Sequence, residues 1–466
     1  MALSPVRAPR DAVQVARRTI DPVDTIWLNM DRADNLMVIE SLMTTSGRLD
    51  RDRLAAVIEE RVVSRYPVFR QRPGRAVLPG LLPRWEDDPE FDLARHLHVG
   101  ELPAPGGDGA LQEYIAGQLD RPLPRDRPLW EVHLLQGYGG GSAVYSRLHH
   151  SLADGIALTQ VLLSLTDASP EGTLVVDDAH PAHHHSVVEL GSHLVGSVLS
   201  PWRAVSTTRQ AISLTLQTTG VATKLLLAPR PSSSITGKPG PRKRAVWGHA
   251  VPLAAIKETA HGTGTTVNDV VVAALAGALS TYQVEHGDEP IDVPTMVPVN
   301  LRPDDQPLPE ELGNRFALVL LTLPSGLRTP FERLAETTRR MSAIKDSPEA
   351  WLTFGMIRGI GRTGPTMERY LVDFFANKAT GVTTNVPGPA TPCYLAGERV
   401  VAMLGWSPES GRQTLGTCIF SYDGRLHVGF KVDTATIADP EALVTAFDAE
   451  LAALRRLGHA QASATG

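Results

Sequence analysis

Residues 167–243 interrupt this 466-residue chain, and that interruption constrains its fold more than any other feature. The segment holds the His-rich "HPAHHHSVVEL" and the Pro-, Ser- and Gly-rich basic run "APRPSSSITGKPGPRKR", with helical stretches between them. A chain of this length exceeds one ordinary hydrophobic core. The interruption therefore reads as a crossover between two domains. Each flank carries the same order of strand, loop and helix, in "GSAVYSRLHHSLADGIALTQVLLSL" and again in "DGRLHVGFKVDTATIADPEALVTAFDAEL". A duplicated α/β domain with chemistry kept in one copy would give this pattern. The expected division is 1–178, a helical crossover over 179–243, and 244–466.

Composition narrows the function. Hydrophobic residues make up 42% and charged residues 21%, the profile of a globular protein, and the net charge of -6 argues against nucleic acid as a partner. Cys393 and Cys418 match no metal or disulfide spacing. No run of 18 apolar residues occurs, and no apolar signal core follows the basic stretch at the N-terminus, so a cytoplasmic protein is expected.

Local patterns place the elements. Leu54, Val57, Ile58 and Val62 recur at helical spacing over 50–66, and 111–119 reads as a second helix. Strands are expected from Trp130 and over "SAVYSRLHH", joined as a hairpin through Gly137–Gly141. Strand alternation puts Val144, Ser146, Leu148 and His150 on one face and Tyr145, Arg147 and His149 on the other. Leu158, Val161, Leu162 and Leu165 then mark a helix, with Asp154 at its N-cap position. Paired histidines at a strand-to-helix junction suit proton transfer near neutral pH. Without a Gly-x-Ser-x-Gly elbow, direct transfer with histidine as base is favoured over a serine acyl-enzyme.

His149-His150-Ser151-Leu152-Ala153-Asp154-Gly155 resembles the HHxxxDG signature of the CoA-dependent acyltransferase and condensation-domain superfamily. Pro128-Leu129-Trp130, Asn268-Asp269 and Asn385-Val386-Pro387-Gly388-Pro389 follow the PLW, ND and NVPGP motifs of bacterial wax ester synthase/diacylglycerol acyltransferases, in the same order. "DPVDTIWLNMDRADN", "PVNLRP" and "LGNRF" also look familial, while Ser151 stands where alanine is common. The resemblance covers roughly residues 20–455.

It implies two chloramphenicol-acetyltransferase-like α/β (α+β) domains with an active-site tunnel at their interface. His150 would be the general base that moves a long-chain acyl group from acyl-CoA to diacylglycerol or a long-chain alcohol. His149 would support the ring or take part. Asp154 would hold the loop through an ion pair, with Arg302 as candidate, and Gly155 would permit a backbone path closed to larger residues. Asn268 has two readings, N-terminal capping together with Asp269 or an amide donor to the oxyanion. Pro128, Leu129, Trp130, Asn385, Pro387 and Gly388 would line the substrate channel or shape its walls. Acyl-CoA enters as substrate, and neither a metal nor a bound organic cofactor is expected.

Other features have plainer readings. His180, His183, His184 and His185 read as a solvated linker rather than a metal site. Lys238, Arg242, Lys243 and Arg244 suit either a solvated linker or contact with CoA phosphates or an anionic membrane. The amphipathic stretch 201–228 suits packing on the protein or contact with a membrane or lipid inclusion. A condensation-type enzyme using carrier-protein thioesters, or a non-catalytic lipid-binding protein, are the competing functions.

Overall fold

Alternating apolar patterns in both halves become strands, and the longer helical repeats cover them. The computed structural model describes residues 17–74, 81–172, 232–301, 307–345, 347 and 349–465. The crossover residues 173–231, with the four tract histidines and the amphipathic stretch, therefore lie outside the described residues, as does Arg302.

Two seven-stranded sheets form the frame. The first runs in the order Leu97–Glu101, Trp130–Tyr138, Gly141–His149, Val38–Thr45, Glu398–Trp406, Tyr394–Leu395 and Thr166–Asp167. The second runs Val251–Pro252, Arg425–Asp433, Leu415–Tyr422, Gly381–Pro387, Val293–Asn300 and Phe316–Leu323, with Lys243–Trp247 also paired to Arg425–Asp433. The expected hairpin is present: Trp130–Tyr138 turns through Gly139 and Gly140, both at positive φ, into Gly141–His149. The expected helices are also present, over Arg51–Ile58 with a π turn continuing to Val63, over Asp108–Leu119 and over Gly155–Leu163.

The duplicated order is visible in three dimensions. In each half a strand inside a seven-stranded sheet leads to a helix, Gly141–His149 to Gly155–Leu163 and Arg425–Asp433 to Pro440–Thr465. The halves are not separate in space, however. Glu398–Trp406, late in the chain, pairs antiparallel with Val38–Thr45 and completes the first sheet. A strand lent to the other half ties the two bodies together by main-chain hydrogen bonds.

The second core begins before residue 244. Ile235 is fully buried in it, and its carbonyl accepts from Thr414 Oγ1 at 2.6 Å. Part of the basic run is structural too. Lys243 is buried with Nζ 2.5 Å from Asp433 Oδ2, and Arg244 pairs with Glu441 at 2.7 Å. Lys243 is therefore neither solvated nor open to a phosphate, so neither reading of this run holds at that residue. Val267–Glu285 is the described helix long and apolar enough to cross a membrane, but Val270–Leu279 lie buried in the second core.

The sheets also meet through charge. Lys431 of the second sheet is buried with Nζ 3.0 Å from Glu40 of the first and 3.4 Å from Glu409. Burial alone would push this amine down, but the two carboxylates outweigh it and hold the ammonium up. Removing one partner from such a cluster strands the others in low dielectric. Lys431→Met should lower unfolding stability by about 3–5 kcal/mol. Glu40→Gln in the same chain should restore part of the loss, as read from denaturant unfolding of the two variants and the wild type.

Candidate active site

The strand Gly141–His149 is buried along its whole length and stops at His149. His150 therefore leaves the sheet, and strand alternation does not set its direction. Its N–H donates to Met37 O at 2.8 Å, and its ring stacks on Trp27 with centroids 4.0 Å apart and planes 22° apart. Phe316 approaches the same ring at 5.7 Å and Trp27 at 6.0 Å. His150 keeps 7% exposure, and its Nδ1 is enclosed. That leaves Nε2 as the ring nitrogen a substrate can reach. Burial pushes the imidazole down to about 4, only partly offset by its own backbone and the Asp154 charge. The ring is neutral at pH 7 and able to accept a proton.

Two segments hold this loop. The first is the helix Pro22–Met30, started by Asp21, whose side chain accepts from Val23 N at 2.9 Å, and by Pro22 in its first turn. Asp24, Trp27 and Asp31 follow at spacings of three and four, which places them along one side of the helix and its end. The second is the "LGNRF" block, whose last three residues each do something different. Asn314 Nδ2 donates to His150 O and to Asp24 Oδ1, both at 2.8 Å, while Asn314 N donates to Asp24 Oδ1 at 3.0 Å. Arg315 N donates to Asp154 Oδ2 at 2.8 Å. Phe316 packs against the imidazole as described. Asp24, Trp27, Asp31, Asn314 and Phe316 were not singled out from the sequence, although both blocks that carry them look familial.

Asp154 caps the helix Gly155–Leu163, accepting from Ala157 N at 2.9 Å, as its position predicts. Its described partners are thus main-chain N–H groups, while the expected partner Arg302 lies outside the described residues. Gly155 corrects an expectation. Its φ is not positive, and a Cβ placed there would meet nothing within 4 Å. The glycine is not required by the backbone path; it leaves open space beside the loop.

His149 is held at Nδ1 by Ser151, while its Nε2 faces Asp31. Nδ1 accepts from Ser151 N at 3.1 Å and faces Ser151 Oγ at 2.8 Å. The tautomer that accepts there carries its proton on Nε2, which lies 3.7 Å from Asp31 Oδ2. Burial pushes His149 down as well. Asp31 also accepts from Met37 N at 2.8 Å and from Arg125 Nη2 at 3.3 Å. Burial alone would raise this carboxyl, but His149, Met37 and Arg125 together hold it below the ordinary range. The serine that replaces the usual alanine thus adds a hydroxyl partner to His149.

The remaining motifs separate in space. Pro128, Leu129 and Trp130 are buried in the first core. Trp130 Nε1 donates to Phe69 O at 2.9 Å, its ring stacks on His96 at 4.5 Å, and Leu129 O accepts from His149 N at 2.9 Å. The contacts described for Trp130 are internal, and the motif anchors the end of the strand that closes on His149. Asn268 lies in the first turn of Val267–Glu285, where Thr266 and Asp269 form the expected capping box. Asn385 Nδ2 donates to Asn268 Oδ1, which joins the ND and NVPGP motifs. Val386 beside it packs against the first core, so this turn sits where the halves meet. Gly388 is required by close approach, since a Cβ there would lie 2.4 Å from Phe420 and 2.6 Å from Ser421 O. No hydrogen bond or ring contact among the described residues links the Asn268–Asn385 pair to His150.

A cavity of about 390 Å³ opens beside Asn314 and Arg315. Asp21 and Val23 from the first half and Leu301, Asn314, Arg315, Phe354 and Arg358 from the second line it, so it lies between the halves.

Burial pushes Asp24 up to about 7, above its unfolded value of 3.8, despite the Asn314 hydrogen bonds. A raised carboxyl stabilises the fold fully below pH 3.8, and that contribution is lost as pH rises through 7. Wild type should therefore lose on the order of a few kcal/mol across this window that Asp24→Asn retains, checked by unfolding of both proteins at pH 5 and pH 8. Asn314→Ala should reduce kcat by roughly tenfold to a hundredfold, because the His150 carbonyl loses its anchor, as measured by steady-state turnover.

The model of the wax ester synthase/diacylglycerol acyltransferase catalytic domain matches residues 20–271, and that of the family's C-terminal domain matches 312–455. A putative diacylglycerol O-acyltransferase of Mycobacterium tuberculosis (strain CDC 1551 / Oshkosh) is 30% identical over 442 residues, covering 89% of this chain and 85% of that one. A probable diacylglycerol O-acyltransferase of strain ATCC 25618 / H37Rv is 29% identical over 385 residues, covering 80% and 81%. The solved wax ester synthase/diacylglycerol acyltransferase of Marinobacter aquaeolei VT8 shares the fold with a TM-score of 0.68 at 21% identity, covering 95% of this chain and all of that one. The first condensation domain of the calcium-dependent antibiotic synthetase shares it at 0.60 and 18% identity, covering 95% and 96%. The chain belongs to the wax ester synthase/diacylglycerol acyltransferase family.

Proposed function

We propose that this acyltransferase moves the acyl group of acyl-CoA to the hydroxyl of diacylglycerol or a long-chain alcohol, with His150 as the base. The observation that carries the assignment is the neutral imidazole stacked on Trp27 with Phe316 beside both rings, its Nδ1 enclosed and Nε2 reachable. His150 takes the hydroxyl proton as the oxygen attacks the thioester carbonyl. The tetrahedral intermediate collapses to the ester and expels the CoA thiolate, which takes the proton back from the imidazolium. Positioned proton transfer of this kind contributes roughly 10²–10⁴-fold. The apolar wall of Trp27 and Phe316 restricts water near the ring, which favours alcohol over hydrolysis.

His149 and Asp154 are positioning residues in this reading, because their described partners, Ser151 and Asp31 for the one and the N–H groups of Ala157 and Arg315 for the other, hold the loop. We assign Asn268 to the oxyanion. Asn385 occupies its amide oxygen, which leaves the amide nitrogen as donor at the junction of the halves. Acyl-CoA is a substrate, and the residues of this chain supply the proton chemistry. A cytoplasmic enzyme that meets its lipid acceptors at a membrane or lipid-inclusion surface is consistent with such substrates.

His150→Ala should abolish CoA release from palmitoyl-CoA that depends on hexadecanol or dipalmitoylglycerol, while leaving the thermal unfolding midpoint close to wild type. Release that persists in this variant would remove His150 as the base. Because the folded imidazole titrates near 4, kcat/KM should stay level from pH 7 to pH 5 and fall only as the ring protonates below that. An acid limb centred near the ordinary histidine value would contradict the buried, neutral ring.

A further inference from the structure

A second cluster of titratable groups lies on the first sheet, away from His150. His98 and His133 are register partners on the parallel strands Leu97–Glu101 and Trp130–Tyr138. Glu131 precedes His133 by two residues and so shares its face. Glu131 Oε2 is 3.7 Å from His98 Nε2, and Glu131 Oε1 is 3.3 Å from His133 Nε2. The three ligand atoms all fall within 4.8 Å of one another. Zinc bonds of ~2.1 Å at tetrahedral angles require separations of about 3.4 Å, a small adjustment from this arrangement.

Three further observations point to a ligand. His133 is 5% exposed, and its Nε2 is buried without a hydrogen bond of acceptable geometry. Its Nδ1 is engaged by Tyr114 OH at 2.8 Å, which fixes the ring with Nε2 aimed at the cluster. Glu131 is held by Arg147 at 2.5 Å through Oε1, which leaves Oε2 facing His98. Outer partners of this kind orient metal ligands. The His98 side chain is 45% exposed, so an ion has an entry path.

We propose that His98, Glu131 and His133 form a binding site for one divalent transition-metal ion of zinc type, with water completing its coordination. Two imidazoles and one carboxylate suit such an ion and disfavour magnesium, which takes an all-oxygen octahedral shell. The ion plays no part in acyl transfer. It joins the edge strand Leu97–Glu101 to its neighbour by coordination as well as by main-chain hydrogen bonds.

The tract His180, His183, His184 and His185 could itself hold zinc, so the test uses the untagged full chain with those four residues changed to Gln. Zinc binding is measured by competition with a chromophoric chelator, with magnesium as comparison, alongside the cobalt absorption spectrum. The expected result is one zinc per chain, at least tenfold weaker binding in His98→Ala and in His133→Gln, and a zinc-dependent rise in unfolding temperature lost in both variants. His98→Ala removes an exposed side chain outside the catalytic site and should keep wild-type turnover and fold. Absence of zinc binding, binding in either variant as tight as in the parent chain, or magnesium binding as tight as zinc would each overturn the site.

Discussion

Asn314 carries the interaction on which the active site depends. Its side chain donates to the carbonyl of His150 and to the carboxyl of Asp24, so one amide joins the catalytic loop, the N-terminal helix and the second half of the chain. All of these groups are buried, and a buried polar group left unpaired is costly. The three segments must therefore assemble together. Arg315 and Phe316 extend the grip to Asp154 and to the imidazole face. The loop is thereby held by both halves of the chain, as positioned proton transfer requires.

The same dependence appears between the sheets. Lys431 reaches Glu40 across the boundary, and Glu398–Trp406 crosses it to complete the first sheet. A buried charge cluster is a weak source of net stability, but it penalises any arrangement that separates its members. Register and mutual orientation of the halves are set in this way, and the cavity between them inherits its shape.

Much of this was legible in the sequence. The hairpin from Trp130 to His149, the Asp154 cap and the Thr266–Asp269 capping box follow from local pattern, because alternation and capping act over a few residues. Family-like motifs pointed to His150. The direction of its ring was not legible, because the strand ends one residue earlier and the imidazole is placed by Trp27 and Phe316. Gly155 misled for a related reason: a glycine before a helix resembles a conformational requirement, yet here it leaves space. The basic run around Lys243 resembled a solvated linker, whereas Asp433, 190 residues away, draws Lys243 inside.

The sequence by itself determined the elements and the two-part organisation and pointed to His150 as the candidate base, since each is written in short-range pattern or in an ordered set of motifs. Only the tertiary structure decided how the His150 imidazole is held and tuned. Asp24, Trp27, Asn314 and Phe316 lie far from His150 along the chain and carry no local signal of the contact. The depressed imidazole and the raised Asp24 carboxyl arise from burial, and burial is a property of the assembled halves rather than of any segment.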